Sequence, residues 1–301
     1  MDINNLHDLV YHYYKQIFFL FVPNVCNSKC SFCYAKPKFS KHAVLSEVVL
    51  NRTEKFVKTV KNIGFNEFRI TGGEPLIFEN IAELFSIFKG NEISYTLLTN
   101  GMNIQNHFEL FTSNIPKKIT ISYHSNTHYN SIFGVEYNTD LLDENIRELC
   151  KRKYNLTISV LLLEKNKSEI LSHLLHLKSL GVASIKLIYP NDKNIRMSLK
   201  NEFFKDVELA TLITGMDVRY SDLKSYTCNM VSRGFPSFSI SQNKIYGCCN
   251  SISNQKFISK INTFDIDSLT TILYDFYNTA QALNEFPCES HVEFCPIALN
   301  N

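Results

Sequence analysis

The chain has 301 residues, more than one compact core usually holds, so a large domain with a smaller one is expected. Apolar residues make up 45% and charged residues 20%, which excludes a disordered chain. The formal net charge of +2 gives no electrostatic footprint for nucleic acid or for an anionic membrane. The first apolar run, Ile17 to Val22, is too short for a signal peptide or a membrane span, which predicts a cytoplasmic protein.

Short apolar strands alternate with amphipathic helices along the first 190 residues. The first helix is predicted to be capped by Ser46 and ended by Gly64. A later one is predicted to be capped by Ser168. The predicted strands are 17–22, 67–71, 93–98, 118–123, 155–162 and 183–188. The other predicted helices are 78–88, 103–112 and 139–152, and the helix capped by Ser168 is predicted to end at Leu180. This alternation implies a parallel sheet, and six units predict an open, partial barrel because eight would close it.

The pattern changes after about residue 215. Residues 237–241 and 244–248 predict two short strands joined by the turn Gln242-Asn243. A helix over about 267–284 and a cysteine-bearing tail over 288–301 follow. The predicted divisions are an N-terminal extension (1–16), the partial barrel (17–192), a connecting helix and strand (193–221) and a small α+β domain (222–301).

The nine cysteines are distributed unevenly: three lie in 26–33, one is at 150 and five lie in 228–295. An odd number clustered towards both ends favours metal ligation in a reducing compartment over a disulfide framework. Cys150 shares a helical face with Leu142, Ile146 and Leu149, which predicts a core position.

The sharpest motif is Cys-x3-Cys-x2-Cys, formed by Cys26, Cys30 and Cys33 directly after the first strand. Three thiolates on one short loop can hold three corners of an iron–sulfur cubane, leaving one iron open for a chelating ligand. The alternative is a zinc site that takes its fourth ligand from His12 or His42. The nine histidines otherwise show no metal spacing, and His7, His173 and His176 are expected to be surface or satisfied interior residues.

A second motif, Gly72-Gly73-Glu74-Pro75, follows the next predicted strand at the same edge of the sheet. The chain has only ten glycines, so two together suggest that a ligand approaches the backbone closely, with Glu74 available to bind an ammonium group. The alternative is an ordinary tight turn closed by Pro75.

These two motifs, with Thr99-Asn100-Gly101 after the third strand, resemble the radical S-adenosylmethionine (SAM) superfamily over about residues 15–190. The resemblance implies a partial (β/α)6 barrel in which Cys26, Cys30 and Cys33 hold a [4Fe–4S] cluster. It also implies that SAM chelates the open iron and is cleaved reductively to a 5′-deoxyadenosyl radical, which abstracts hydrogen from a substrate.

The same resemblance assigns further residues to the SAM site. Phe32 matches an aromatic position near the adenine, and Gly72, Gly73 and Glu74 match the segment that receives the methionine amine. Ser122 resembles a polar position that meets the ribose or the carboxylate. Many relatives have an aspartate two residues further on, where this chain has His124; a structural role for Ser122 therefore remains open.

The C-terminal cysteines resemble the SPASM/twitch class of auxiliary-cluster domains, in the shorter twitch form. The implied ligands of one auxiliary [4Fe–4S] cluster are Cys228, Cys248, Cys288 and Cys295. Cys249 is left over as an inert residue, a substitute for Cys248, or a hydrogen donor to a substrate radical as in the epimerases of this superfamily. A structural zinc is the alternative for the whole domain.

The resemblance implies net oxidation or crosslinking of a peptide or small molecule, with the auxiliary cluster accepting an electron. It implies a flavodoxin- or ferredoxin-type electron donor. Only sixteen residues precede the first strand, so recognition of a leader peptide is expected to need a separate protein. The alternatives are an epimerase and a non-catalytic zinc or iron–sulfur scaffold. Nucleic acid and membranes are not expected partners.

Overall fold

The computed structural model describes residues 3–33, 35–188, 205–220, 236–246, 259–261 and 263–282. Its strands are β1 (Ile17–Phe21), β2 (Val25–Cys26), β3 (Lys38–Phe39), β4 (Glu67–Thr71), β5 (Ser94–Thr99), β6 (Lys118–Ser122), β7 (Leu156–Leu161), β8 (Ser184–Ile188), β9 (Asp217–Tyr220), β10 (Ser237–Ser239), β11 (Lys244–Tyr246) and β12 (Ser259–Lys260). The α-helices are α1 (Ile3–Asp8), α2 (Glu47–Ile63), α3 (Ile81–Gly90), α4 (Phe108–Ser113), α5 (Tyr129–Phe133), α6 (Thr139–Lys151), α7 (Ile170–Ser179), α8 (205–214) and α9 (Ile266–Ala282). No helix in these ranges is long and apolar enough to cross a bilayer.

Ten strands form one open sheet in the order β12-β11-β10-β1-β4-β5-β6-β7-β8-β9. The eight strands in the order β10-β1-β4-β5-β6-β7-β8-β9 are parallel to one another. Strands β11 and β12 are added antiparallel beyond β10, at one edge of the sheet. The expected α/β fold with six alternating units and an open sheet is therefore confirmed. Because β1, β4, β5 and β6 are parallel neighbours, the loops that follow them meet at one edge of the sheet.

Helix α2 has the predicted signals at both ends. The Ser46 hydroxyl accepts a hydrogen bond from the Val49 amide at 3.4 Å, and Gly64 ends the helix with φ = +112°. Its buried face, which includes Phe56 and Val60, lies against the sheet core. Cys150 is half-buried and packs against the same continuous core, in agreement with its predicted position on α6.

Three predicted helix starts are wrong by a few residues. Helix α4 begins at Phe108 rather than 103, because Ile104–His107 form a separate 3-10 helix. Helix α3 begins at Ile81 rather than 78, because Pro75–Ile77 form a separate 3-10 turn. Helix α7 begins at Ile170, and Ser168 is not its cap. The preceding segment is a 3-10 helix fixed by buried Asn166, whose side chain accepts from the Leu163 amide at 2.8 Å and donates to the His124 carbonyl at 2.6 Å.

The described C-terminal elements share the core of the barrel. Phe238 on β10 stacks on Phe56 of α2, with ring centroids 3.9 Å apart. The Tyr14 hydroxyl donates to the Leu273 carbonyl of α9 at 2.6 Å. Strands β10 to β12 thus extend the main sheet, and α9 packs against its core. The boundaries of a separate C-terminal domain remain a prediction.

His173 on α7 is completely buried, and its Nε2 lies 2.9 Å from the Tyr123 carbonyl oxygen. Burial lowers the pKa of His173 to about 4, with His176 adding to the decrease and Glu169 and Asp143 opposing it. The folded protein therefore keeps this imidazole neutral, whereas the unfolded chain takes up a proton near the ordinary histidine pKa of about 6.5.

We expect this histidine to make the protein sensitive to acid. Its contribution to stability is complete above pH 6.5 and is lost as the pH falls towards 4, by on the order of 3 kcal/mol. His173→Gln should flatten the dependence of the free energy of unfolding on pH between 7 and 5, measured by urea denaturation. His42→Gln, at a side chain that is 77% exposed, is the matched control. An unchanged pH slope in His173→Gln would contradict this assignment.

Candidate active site at the carboxyl edge of the sheet

The cysteine loop, residues 22–40, leaves the carboxyl end of β1. It is closed by the short parallel pairing of β2 with β3, in which Cys26 lies opposite Phe39. The Lys29 amide donates to the Phe133 carbonyl at 2.8 Å, which ties the loop to α5. Cys26 is buried, whereas Cys30 and Cys33 are half-buried. The three thiols thus lie on one anchored loop with partial access from outside.

The thiols are close enough to influence each other. Burial, together with the neighbouring Cys33 and Cys26 thiols, raises the pKa of Cys30 to about 12. Burial is also the main cause that raises the pKa of Cys26. Three soft sulfur donors in this setting fit an iron–sulfur cluster, whose irons hold cysteines as thiolates.

The alternative zinc site with a histidine ligand is not assembled in the described residues. No three His, Cys, Asp or Glu side chains in those ranges converge on a single ion position. His12 is exposed, and His42 is exposed with its Nδ1 3.8 Å from Glu79. A cubane differs from a single ion because each thiolate binds a different iron.

The glycine pair after β4 lies against the cysteine loop itself. A Cβ on Gly73 would lie 1.9 Å from the Val25 carbonyl oxygen, and one on Gly72 would lie 2.7 Å from the Val22 carbonyl oxygen. Gly72 also has φ = +138°, which L side chains rarely adopt. The close backbone approach predicted for a ligand is therefore made in the structure by the chain's own segment just before Cys26.

Glu74 is buried and its carboxylate is bonded to donors of the chain. It accepts hydrogen bonds from the Thr99 hydroxyl at 2.6 Å, the Asn100 amide at 2.7 Å and the Leu76 amide at 3.0 Å. Burial raises the pKa of Glu74 to about 7, although these three donors act in the opposite direction. The Glu74 carboxylate thus links the loops after β4 and β5, and its contact with an ammonium group stays a prediction.

Asn100, in the turn after β5, is a further site residue. The sequence marks it only as part of the Thr99-Asn100-Gly101 motif and assigns it no contact. Its Nδ2 lies 2.7 Å from Asn27 Oδ1, 3.0 Å from Ser28 Oγ and 4.0 Å from Cys26 Sγ. The Thr-Asn-Gly motif indicates that this turn belongs to the site. The hydrogen bonds from Asn100 to the cysteine loop cannot be inferred from the motif, because they join distant parts of the sequence.

Two further predicted site residues lie on different parts of this edge. Phe32 is 37% exposed, and its ring meets the edge of the His124 ring at a centroid distance of 5.4 Å. Ser122 ends β6 opposite Ser159 of β7 and is half-buried. His124 is buried against Phe133, and its Nδ1 accepts from the Leu161 amide, so this imidazole is committed to the fold.

The C-terminal cysteines are not placed by the structure. Cys228, Cys248, Cys249, Cys288 and Cys295 all lie outside the described residues. Their assignment as auxiliary-cluster ligands, and that of Cys249 as a hydrogen donor, stays a prediction.

Comparison with protein families gives a match to the Radical SAM superfamily over residues 20–177, slightly more than half of the chain. The chain belongs to the radical SAM superfamily. The matched region runs from β1 into α7 and contains the cysteine loop, the glycine pair and Asn100. The thiol-bearing edge and strands β4 to β7 thus lie within the matched region.

Two curated relatives of this radical SAM protein illustrate its sequence neighbourhood. It is 30% identical over 157 residues to the S-adenosylmethionine-dependent nucleotide dehydratase of Flammeovirga pacifica, covering 49% of this chain and 53% of the relative. It is 23% identical over 138 residues to a probable GTP 3′,8-cyclase of Thermococcus kodakarensis, covering 44% of each. The chain spans about half the length of the curated relatives it matches.

Solved structures extend the likeness in fold. Streptococcus suis SuiB bound to the precursor peptide SuiA has a TM-score of 0.67 at 14% identity, covering 90% of this chain and 67% of SuiB. The enzyme anSMEcpe with bound AdoMet has a TM-score of 0.67 at 15% identity, covering 90% of this chain and 84% of that one. At such low identity the likeness describes the fold and leaves the substrate open.

Proposed function

We propose that this radical SAM protein cleaves SAM reductively beside a [4Fe–4S] cluster held by Cys26, Cys30 and Cys33. The cluster supplies one electron when bound and reduced. SAM bound beside this loop would take up the electron, and cleavage of its carbon–sulfur bond would supply methionine and a 5′-deoxyadenosyl radical able to take a hydrogen atom from the substrate. The observation that carries this proposal is the anchored three-thiol loop at the carboxyl edge of the parallel sheet.

The chain's own residues prepare this edge for SAM. The backbone of Gly72 and Gly73 follows β4 directly beside the cysteine loop, where the family resemblance assigns the methionine amine. Glu74 holds this segment against the turn at Asn100 by its hydrogen bonds. We assign Phe32 to the adenine and Ser122 to the ribose or carboxylate, since both lie at this edge.

A peptide or small molecule is the substrate class that we assign first. The structures of SuiB and anSMEcpe match 90% of this chain, including its C-terminal half, and SuiB was solved with a precursor peptide. This supports a place in the SPASM/twitch subgroup, with one auxiliary cluster on Cys228, Cys248, Cys288 and Cys295. Such a cluster would accept the electron of the substrate radical, which loses a proton as well, giving net oxidation or crosslinking. Cys249 as a hydrogen donor would instead make the protein an epimerase.

A nucleotide is the second candidate substrate. The observation in its favour is the 30% identity with a nucleotide dehydratase, which covers only 49% of this chain. The name of this relative includes dependence on S-adenosylmethionine, so the match supports SAM at least as directly as it supports a nucleotide.

The experiment is anaerobic incubation with SAM and dithionite, followed by quantification of 5′-deoxyadenosine and methionine. We expect release of both by the native chain and none by a Cys26/Cys30/Cys33→Ala variant. Addition of GTP or CTP, or of a cysteine-containing peptide, should raise the yield only for the correct substrate class. A reconstituted native chain that releases no 5′-deoxyadenosine would be a scaffold, and the proposed function would be wrong.

The cysteine loop also offers a surface for an acidic electron donor of the flavodoxin or ferredoxin type. Residues 24–46 contain four lysines and no aspartate or glutamate, although the whole chain has a net charge of only +2. All four lysines are exposed: Lys29, Lys36, Lys38 and Lys41. A positive surface beside a redox centre speeds association with a negative partner.

We therefore expect Lys36→Glu/Lys41→Glu to slow reduction by an acidic flavodoxin at least about tenfold at low salt, since steering supplies 10 to 10³-fold in rate. Activity driven by dithionite should be unchanged, and raised salt should reduce the difference. Lys178→Glu, at an exposed position on α7, is the control. Equal rates of reduction by flavodoxin in Lys36→Glu/Lys41→Glu and in Lys178→Glu would contradict a docking surface for the electron donor at these lysines.

A further inference from the structure

Asn100 is held in one orientation between two parts of the site. It is only 7% exposed, and its Oδ1 accepts a hydrogen bond from the Met102 amide at 3.0 Å. This bond fixes which end of the side-chain amide is the oxygen, because an amide NH2 cannot accept from a backbone N–H. The NH2 group therefore faces the cysteine loop, where Asn27 Oδ1 and Ser28 Oγ lie 2.7 and 3.0 Å away.

Ser28 connects this amide to a cysteine sulfur. Its side chain is buried, with 3% exposed, and its Oγ lies 3.3 Å from Cys26 Sγ. The Ser28 amide adds a second contact to the same sulfur at 3.4 Å. A hydroxyl and a thiol can each donate to the other, so geometry between these two atoms alone leaves the direction open.

A cysteine sulfur that binds a cluster carries no proton and can only accept, so the Ser28 hydroxyl is the donor in that state. Asn100 leaves the hydroxyl hydrogen available for this bond, because its amide N–H can only donate and occupies an acceptor lone pair of Ser28 Oγ. The direct distance from Asn100 Nδ2 to Cys26 Sγ is 4.0 Å, too long for a strong bond, so the influence of Asn100 passes through Ser28.

We propose that Asn100 is a positioning residue that keeps the Ser28 hydroxyl hydrogen directed at the Cys26 sulfur. The inference rests on the proposed function, in which Cys26 holds the cluster. Donors to a ligand sulfur stabilise the more negative, reduced cluster and so raise its reduction potential. Asn100 and Ser28 together thus help to set how readily the cluster accepts its electron.

The test is the midpoint potential of the reconstituted protein without SAM, measured by redox titration with EPR detection. In Asn100→Asp the carboxylate can only accept, so it turns the Ser28 hydroxyl away from the sulfur. Asn103→Asp is the matched control for the added charge, since Asn103 contacts Asn27 at 3.4 Å and makes no hydrogen bond to Ser28 or Cys26 in the described residues. Ser28→Ala removes the donor, and Ser28→Thr retains it.

We expect a more negative potential in Ser28→Ala and the native potential in Ser28→Thr. Asn100→Asp should shift the potential further than Asn103→Asp, and this excess should become smaller when both Asn variants are compared in a Ser28→Ala background, because only the part due to charge remains. Equal shifts in the two Asp variants, an excess that is just as large without the hydroxyl, or a native potential in Ser28→Ala would each overturn the proposal. A native chain that holds the cluster but releases no 5′-deoxyadenosine would end the proposed function and leave this test intact.

Discussion

Replacing Gly73 with alanine is expected to prevent assembly of the cysteine loop. The added Cβ would lie 1.9 Å from the Val25 carbonyl oxygen and 2.7 Å from the Val25 amide nitrogen. These are backbone atoms, so no side-chain rotation relieves the overlap and the two segments must separate. Their separation also breaks the 2.8 Å hydrogen bond from the Glu74 amide to the Val25 carbonyl.

We expect Gly73→Ala to lose most of the iron that reconstitution delivers to this loop and to lower the free energy of unfolding by about 1–3 kcal/mol or more. Gly90→Ala is the matched control, because a Cβ there meets nothing within 4 Å. It should retain native iron and gain up to about 1 kcal/mol. Iron assay and urea denaturation of the same preparations make the comparison. Native iron content and stability in Gly73→Ala would show that the loop is packed differently.

Replacing Glu74 with alanine should have a comparably large effect, through buried donors rather than overlap. The change leaves the Thr99 hydroxyl and the Asn100 and Leu76 amides without their acceptor. Each buried unsatisfied donor costs about 1–3 kcal/mol, so we expect a loss of several kcal/mol in the free energy of unfolding. Glu74→Gln should recover part of it, since one amide oxygen still accepts.

Urea denaturation of the apoprotein is the measurement, and Glu79→Ala is the control at a side chain that is 64% exposed. The outcome separates two roles for Glu74. A carboxylate that mainly binds the methionine amine would leave Glu74→Ala as stable as Glu79→Ala and weaken only the affinity for SAM. We predict that Glu74→Ala lowers the free energy of unfolding, and that SAM binding is lost as a consequence.

The six barrel strands were predictable because each one is an apolar run between recurring helices. The short strands β2, β3 and β12, and the pairing of β10 with β1, were not predicted. The helix ends were predictable where one residue decides them locally, as Ser46 and Gly64 do at α2. The start of α7 was not, because Asn166 sets it through a bond to the distant His124 carbonyl.

The site shows the same division between local and long-range causes. The cysteine spacing and the glycine pair marked the correct edge of the sheet. The contact of Gly73 with Val25 joins residues 48 positions apart and cannot be inferred from either segment alone. The same holds for the bonds from Asn100 to Asn27 and Ser28. The auxiliary ligands Cys228, Cys248, Cys288 and Cys295 remain predictions from their pattern.

Iron and acid-labile sulfide content after anaerobic reconstitution shows whether Cys26, Cys30 and Cys33 hold a cubane. The native chain is compared with the Cys26/Cys30/Cys33→Ala variant. We predict about eight irons per chain falling to about four, one cubane on the loop and one on the C-terminal cysteines. A fall from about four to none would keep the loop cluster and remove the auxiliary one. The same iron and sulfide content in both proteins, or zinc without sulfide, would contradict an iron–sulfur cluster on Cys26, Cys30 and Cys33.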